Sequence, residues 1–316
     1  MTALLLPDSS VADAPFATAL LDLAADRPDV AVLAADLSKY TDVLPFATAH
    51  PDRFVQLGMA EQNLMGVAGG LAKSGLTPIA TTYCVFATRR SYEQVAMALA
   101  TGGTRSVVVA FLPGITTPFR ATHQGTDDLA LMRAVPGMTV LDPMDATELA
   151  AALPAAVRHS GPVYLRGLRG RVDRLLDPVG YEFTIGATHL LRDGSDIGLV
   201  GTGLGTAWAL EACGVLAAAG IDAAVLHVPT VKPLDSAAVT GFAARFPAVL
   251  TVENHSTVGG LGSAVAEALA EAGAGVPLRR LGVPDRWAPA GSVEHIRSVL
   301  GLDAAGIAGC AREVLR

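Results

Sequence analysis

Gly58-Met59-Ala60-Glu61-Gln62-Asn63-Leu64-Met65-Gly66-Val67-Ala68-Gly69-Gly70-Leu71-Ala72 follows a short run of extended character, Phe54-Val55-Gln56-Leu57. The pair reads as a strand feeding a glycine-rich, apolar helix whose first turn carries one acid. A carboxylate there complements the positive end of the helix dipole. In surroundings this apolar it also needs a partner or a proton, because burying an unpaired charge is strongly unfavourable. The stretch alone leaves both readings of Glu61 open, a helix-start acid or a group with chemistry to do.

Outward from this unit the same alternation repeats. Short β-branched runs at Val30–Ala35, Phe54–Leu57, Pro78–Thr82, Ser106–Phe111, Met138–Leu141 and Pro162–Leu165 predict strands. Alanine-rich helical patterns lie between them, near 15–26, 60–73, 86–100, 126–134 and 146–158. The last opens on a capping signal, Asp145 with Glu148 three residues on. A charge-rich stretch, Gly170 to Gly180, reads as an inter-domain connection. After it come strands at Asp196–Thr202, Ala223–Val228, Ala248–Glu253 and Pro277–Leu281. Helices are expected near 205–219, 235–244, 261–273, 292–300 and 303–315. The expectation is α/β, with two doubly wound domains built on parallel sheets. They span 1–170 and, smaller, 187–316, with a linker at 171–186.

Composition narrows the function. The chain has 316 residues, enough for two domains. Its mean hydropathy is high, +0.43, yet no run of apolar residues is long enough for a membrane span. Buried sheets and a large subunit interface account for the excess. The N-terminus has no basic region and only a short apolar one, so no leader is expected. Cys84, Cys213 and Cys310 are widely spaced with no metal-like pairing, which predicts a reduced, cytoplasmic protein with no metal site of its own. The net charge of -7 comes with no basic patch, which argues against nucleic acid.

Several constellations could carry chemistry. Tyr83 and Phe86 follow a strand and open a helix three residues apart, a core pair or an aromatic wall for a flat heterocycle. His123, in Thr122-His123-Gln124-Gly125, lies in a long loop from Leu112 to Gly125, as a proton shuttle or a hydrogen-bonded loop residue. Arg166 ends a strand at the edge where open α/β sheets bind ligands. It could hold a phosphate or carboxylate, or form an ion pair. Gly201-Thr202-Gly203-Leu204-Gly205 invites a dinucleotide reading, but Thr206 occupies the sixth place of that fingerprint. A tight strand-to-helix packing turn accounts for it better. His255, in Glu253-Asn254-His255-Ser256, is expected to be structural.

Taken in order, GMAEQN, PIATTYCVFATRRSYEQ, THQGTDDLALMRAVPGMTVLDPMD, GPVYLR, HVPTVKPLD and TVENHSTVGGLG resemble the C-terminal half of transketolases. More closely, the set resembles the separate C-terminal subunit of split transketolases, over roughly residues 14–305. The resemblance implies a pyrimidine-binding domain and a transketolase C-terminal domain, with thiamine diphosphate as cofactor. It implies that Glu61 hydrogen-bonds a pyrimidine ring nitrogen and favours the tautomer that takes up the thiazolium proton. Tyr83 and Phe86 match the aromatic positions flanking that ring. Asp36 matches an acid near the cofactor or the dimer contact. His123 matches a donor-site histidine in catalysis and substrate binding, and Arg166 an arginine that binds substrate phosphate.

The Gly-Asp-Gly…Asn segment, through which the family holds Mg2+ and the diphosphate, does not occur here. The chain is expected to begin where a separate first subunit would end. It therefore needs a partner subunit carrying that segment, in an α2β2 heterotetramer. Phe111 and Phe119 stand where relatives acting on sugar phosphates carry His and Asp. Asp13 lies near an expected arginine. These departures favour a smaller, less polar or unphosphorylated ketose donor. The alternatives are a β subunit of a 2-oxo acid dehydrogenase, a deoxyxylulose-phosphate-synthase-like enzyme, or a non-catalytic regulatory subunit that keeps the fold.

Overall fold

A computed structural model describes residues 4–316. The first three residues, part of the expected first domain and of the stretch read for a leader, lie outside the described residues. The chain divides into two compact units, Met1–Pro113 with Leu131–Ile185, and Gly114–Ala130 with Gly186–Arg316.

The first unit carries strands β1 (Leu5–Asp13), β2 (Val30–Ala34), β3 (Phe54–Gln56), β4 (Thr77–Tyr83), β5 (Ser106–Phe111), β6 (Thr139–Leu141), β7 (Pro162–Gly167) and β8 (Arg171–Leu176). Strands β2 to β7 lie in one parallel sheet in the order β6-β7-β5-β4-β2-β3. Every residue of β2, β4, β5 and β7 is buried, as strands of a parallel sheet covered on both faces are. The helices are α1 (Pro15–Asp26), α2 (Leu44–Ala49), α3 (Glu61–Lys73), the single turn α4 (Tyr92–Gln94), α5 (Asp128–Ala134), which spans the division between units, and α6 (Ala146–Arg158).

Two departures from expectation have physical causes. The stretch read as a linker from residue 171 begins with strand β8, antiparallel to β1. Its charges mask a strand period, with Val172 and Leu176 turned inward. Asp145 fastens this strand to α6. Its Oδ1 accepts the Glu148 N–H at 2.8 Å as the helix cap, and its Oδ2 accepts the Leu175 and Leu176 N–H groups, each at 2.7 Å.

The helix expected over 86–100 is instead widened into π turns at Phe86–Arg90 and Val95–Ala100, joined by α4. Side-chain hydroxyls enter the backbone ladder there. Ser91 donates to the Phe86 and Ala87 carbonyls at 3.1 and 2.9 Å, and Thr101 to the Ala96 carbonyl at 2.9 Å. Such insertions loosen the i→i−4 repeat. Helix α3 crosses the second π segment at Gly69, where an added Cβ would stand 2.6 Å from the Ala98 carbonyl oxygen.

The second unit holds β9 (His189–Arg192), β10 (Ile197–Thr202), β11 (Ala223–His227), β12 (Thr230–Lys232), β13 (Val249–Ser256) and β14 (Leu278–Val283). Its sheet runs β14-β13-β10-β11-β9, parallel except for the antiparallel edge strand β9. Helices α7 (Leu204–Ala218), α8 (Ser236–Ala243), α9 (Leu261–Glu271), α10 (Val293–Leu300) and α11 (Ala304–Val314) complete it. The Gly201–Gly205 turn serves packing. A Cβ on Gly205 would meet the Val252 carbonyl at 2.3 Å, and one on Gly201 would meet Thr206 at 2.6 Å.

The loop from Gly114 joins this second unit. The Ile115 N–H donates to Asn254 Oδ1 at 2.9 Å, the Ser256 N–H to the Thr126 carbonyl at 2.7 Å, and the Gln124 amide to the Pro289 carbonyl at 3.1 Å. His255 is buried and accepts the Ala130 N–H at 3.3 Å. No helix among the described residues is long and apolar enough to cross a membrane.

Candidate active site

Open α/β sheets bind ligands beyond the carboxyl ends of their strands. In the first unit that edge gathers Asp36 after β2, Glu61 at the start of α3, Tyr83 at the end of β4, and Arg169 after β7.

Glu61 is 1% exposed although it stands at a helix terminus. The Arg90 guanidinium compensates its charge, with one nitrogen, Nη1, donating to both carboxylate oxygens at 2.9 and 2.8 Å. The same guanidinium lies 4.2 Å from the Phe86 ring centroid. Phe86 in turn stacks on Tyr83, with centroids 6.0 Å apart and planes 23° from parallel. Acid, cation and aromatic pair form one connected cluster. Arg90 is the member that sequence reasoning missed. An ion pair spanning 29 positions leaves no local signal, and only the wide turn that carries Arg90 hints at it.

Burial pushes the Tyr83 hydroxyl above the ordinary phenol value. The nearby Arg169 guanidinium pulls it down, while Tyr40 and the Asp36 carboxylate push it up again. Arg169 lies over the Tyr40 ring at 5.6 Å. Its Nε is out of solvent and has no hydrogen-bond partner among the described residues. This places a cation with spare donor capacity beside the aromatic pair.

Arg166 does not occupy that position. It is 1% exposed and forms an internal ion pair with Asp142 at 3.2 Å. A buried guanidinium needs a counter-charge, and Asp142 supplies one to Arg166, the residue expected from the sequence pattern to bind substrate phosphate. Phe111 belongs to the core of the first unit. It is fully buried and packs edge-on against Phe16 at 5.2 Å, opposite Gly167 in the β5–β7 register. Phe119 is 61% exposed and lies 5.3 Å from the His123 ring, both on the loop belonging to the second unit. His123 Nδ1 is 2.9 Å from the Thr122 hydroxyl. Among the described residues no group of three or more His, Cys, Asp or Glu side chains is arranged to hold a metal.

Comparison with known proteins supplies the class. The transketolase pyrimidine binding domain matches residues 12–173, and the transketolase C-terminal domain matches residues 186–307. An uncharacterized transketolase family protein, y4mN of Sinorhizobium fredii, is 45% identical over 98% of this chain and 90% of its own length. A 6-deoxy-6-sulfo-D-fructose transketolase subunit, SqwH of a Clostridium species, is 42% identical over 93% of this chain and 91% of its own. A solved structure described as a split-gene transketolase, an inactive β4 tetramer, superposes with a TM-score of 0.86 at 38% identity. It is matched over 95% of this chain and 97% of that one. The two domains in this order define the thiamine-diphosphate-dependent, transferase-type enzymes. Within that class, the chain belongs to the transketolase family.

Proposed function

We propose that this chain is the pyrimidine-side subunit of a transketolase, moving a two-carbon ketol unit from a ketose donor to an aldehyde acceptor. It works with a second subunit that carries the Gly-Asp-Gly…Asn segment and Mg2+, as an α2β2 assembly in the cytoplasm. The observation that carries the reading is the buried Glu61 carboxylate beside the stacked Tyr83 and Phe86 rings.

Thiamine diphosphate, when bound, supplies the carbon nucleophile that adds to the donor carbonyl. Glu61 holds a proton at a pyrimidine ring nitrogen, its carboxylate oxygen accepting from that N–H. Tyr83 and Phe86 present a flat apolar wall for the ring. Asp36 faces the same edge, close enough to Tyr83 to act on its hydroxyl. His123 contacts donor oxygens, and exposed Phe119 gives the donor an apolar surface at that loop.

Arg169 takes the anion-binding role that the sequence pattern suggested for Arg166, since its guanidinium has donors left to offer. A sulfonate suits it as a phosphate does, and the likeness to the sulfofructose-directed SqwH supports that donor class. The departures at Phe111 and Phe119 point to an unphosphorylated ketose donor, to which the likeness to SqwH adds a sulfonated one.

The test is reconstitution with a diphosphate-binding partner subunit and assay against ketoses bearing a terminal hydroxyl, phosphate or sulfonate. Ketol transfer lost in Glu61→Gln is the expected result. Xylulose 5-phosphate as the best donor overturns the donor assignment. Turnover of pyruvate with loss of CO2 in place of ketol transfer moves the chain to the deoxyxylulose-phosphate-synthase-like alternative.

A further inference from the structure

We infer that Arg90 is a positioning residue for the cofactor's pyrimidine ring, acting through Glu61 and Phe86 together. The inference rests on the reading of Glu61 given above and adds to it the group that sets its geometry.

Arg90 Nη1 carries two hydrogens and directs them at the two oxygens of one carboxylate, at 2.9 and 2.8 Å. The contact keeps both oxygens of the carboxylate turned toward the guanidinium, which limits where Glu61 can swing. An ionised carboxylate has about four acceptor sites, so roughly two remain for a ligand N–H. Arg90 therefore orients Glu61 without using up its acceptor capacity.

The guanidinium also sits 4.2 Å from the Phe86 centroid, inside the range of about 6 Å over which a ring face attracts a cation. One rigid, planar cation thus ties the acid to the aromatic wall. The two features that would meet the same heterocycle keep a constant relation to each other. Burial of the partners is unequal, with the Arg90 side chain 45% exposed and that of Glu61 1%. An ion pair exposed on both sides contributes little. Here, loss of the cation strands a buried carboxylate, which must turn or take up another partner. Lysine replaces the charge but not the planar guanidinium that lies over the Phe86 ring.

The experiment uses the complex with the diphosphate-binding subunit and compares Arg90→Ala, Arg90→Lys, Glu61→Gln and the double variant Glu61→Gln/Arg90→Ala. Thiamine diphosphate binding in the presence of Mg2+ is followed by titration calorimetry, alongside kcat and donor KM. Arg90→Ala is expected to lower kcat about 100-fold, the scale of a misplaced reacting group, and to weaken cofactor binding. Donor KM stays within about 3-fold, because Arg90 is not assigned to the donor. Arg90→Lys recovers about 10-fold of the lost rate. The double variant is no slower than Glu61→Gln alone, since Arg90 acts through Glu61.

Glu61→Gln inactive with both Arg90 variants at wild-type rate and affinity overturns this inference and leaves the function reading intact. Losses that multiply in the double variant also overturn it. Glu61→Gln at wild-type rate overturns the reading and the inference with it. If Arg90→Ala does not fold, as judged by circular dichroism and thermal unfolding, Arg90→Lys decides. A lysine variant with wild-type rate and cofactor affinity then sinks the inference, and a slowed one that still folds supports it.

Discussion

The Arg166 guanidinium and the Asp142 carboxylate meet at 3.2 Å with 1% and 4% of their side chains exposed, on the ends of neighbouring strands β7 and β6. Removing one partner takes a compensating charge away from a buried group. Arg166→Ala is expected to lower unfolding free energy by about 3–5 kcal/mol, whereas Arg166→Met with Asp142→Leu recovers most of the loss. Urea denaturation of all three proteins measures both effects. A small effect for the single variant would show the pair to be less desolvated than described.

Arg169 behaves in the opposite way. Its guanidinium has no ion partner among the described residues, so Arg169→Ala leaves the melting temperature near that of the parent. Donor KM for an anionic ketose rises about 10- to 100-fold, the loss of one hydrogen bond to a charged group. A terminal-hydroxyl ketose shows no comparable change. Steady-state kinetics on the matched donors measure the difference.

Asp145 joins α6 to β8 through acceptors alone. Asp145→Asn turns the Oδ2 position, which accepts the Leu175 and Leu176 N–H groups, into a donor or forces the amide to flip and lose its helix cap. The expected cost is about 1–3 kcal/mol. Hydrogen exchange should register it first at Leu175 and Leu176.

How far the sequence carried the fold is visible in these residues. The runs forming β2, β4, β5 and β7 announce buried parallel strands by β-branched and apolar content with few charges, and their positions match expectation within a few residues. The placement of Glu61, Tyr83 and Phe86 at strand-to-helix junctions was equally legible. Arg169 drew no attention in the sequence, and only the fold reveals that the nearby Arg166 is paired with Asp142. Strand β8 was hidden by its charges, and the π turns by hydroxyls whose bonding to the backbone ladder no propensity reveals. Arg90 was illegible because its importance lies in a partner far away in the sequence.

Asp29 offers a test with pH. Arg27 grips its carboxylate through two 2.7 Å bonds, and the Thr77 hydroxyl adds a third at 2.7 Å, holding the group well below the usual carboxylate range. With the folded value depressed, the stabilisation is present above the unfolded value of about 4 and is lost as pH falls below it. Since the side chain is 34% exposed, the pair contributes only about 0.5–1 kcal/mol. Asp29→Asn should flatten the acid limb of the stability curve by that amount, and high salt should reduce the difference. An unchanged acid limb in thermal unfolding from pH 5 to 2 would argue against the pairing.

Gly167 accepts the Phe111 ring. A Cβ there would lie 2.7 Å from the ring edge, so Gly167→Ala must move Phe111 against Phe16. The expected destabilisation is about 1–3 kcal/mol by chemical denaturation. A neutral effect would mean that the ring has room to shift.

The loop that leaves the first unit after Pro113 and returns at Leu131 makes this chain resistant to dissection at a single peptide bond. A fragment starting at Gly186 would carry every strand of its sheet and still lack the segment that meets Asn254, Ser256, His255 and Pro289. Those acceptors and donors would face water or one another. The second unit is therefore a discontinuous folding partner, completed only when a stretch synthesised some sixty residues earlier is threaded back onto it. Its assembly during translation must wait for the C-terminal half of the chain to emerge.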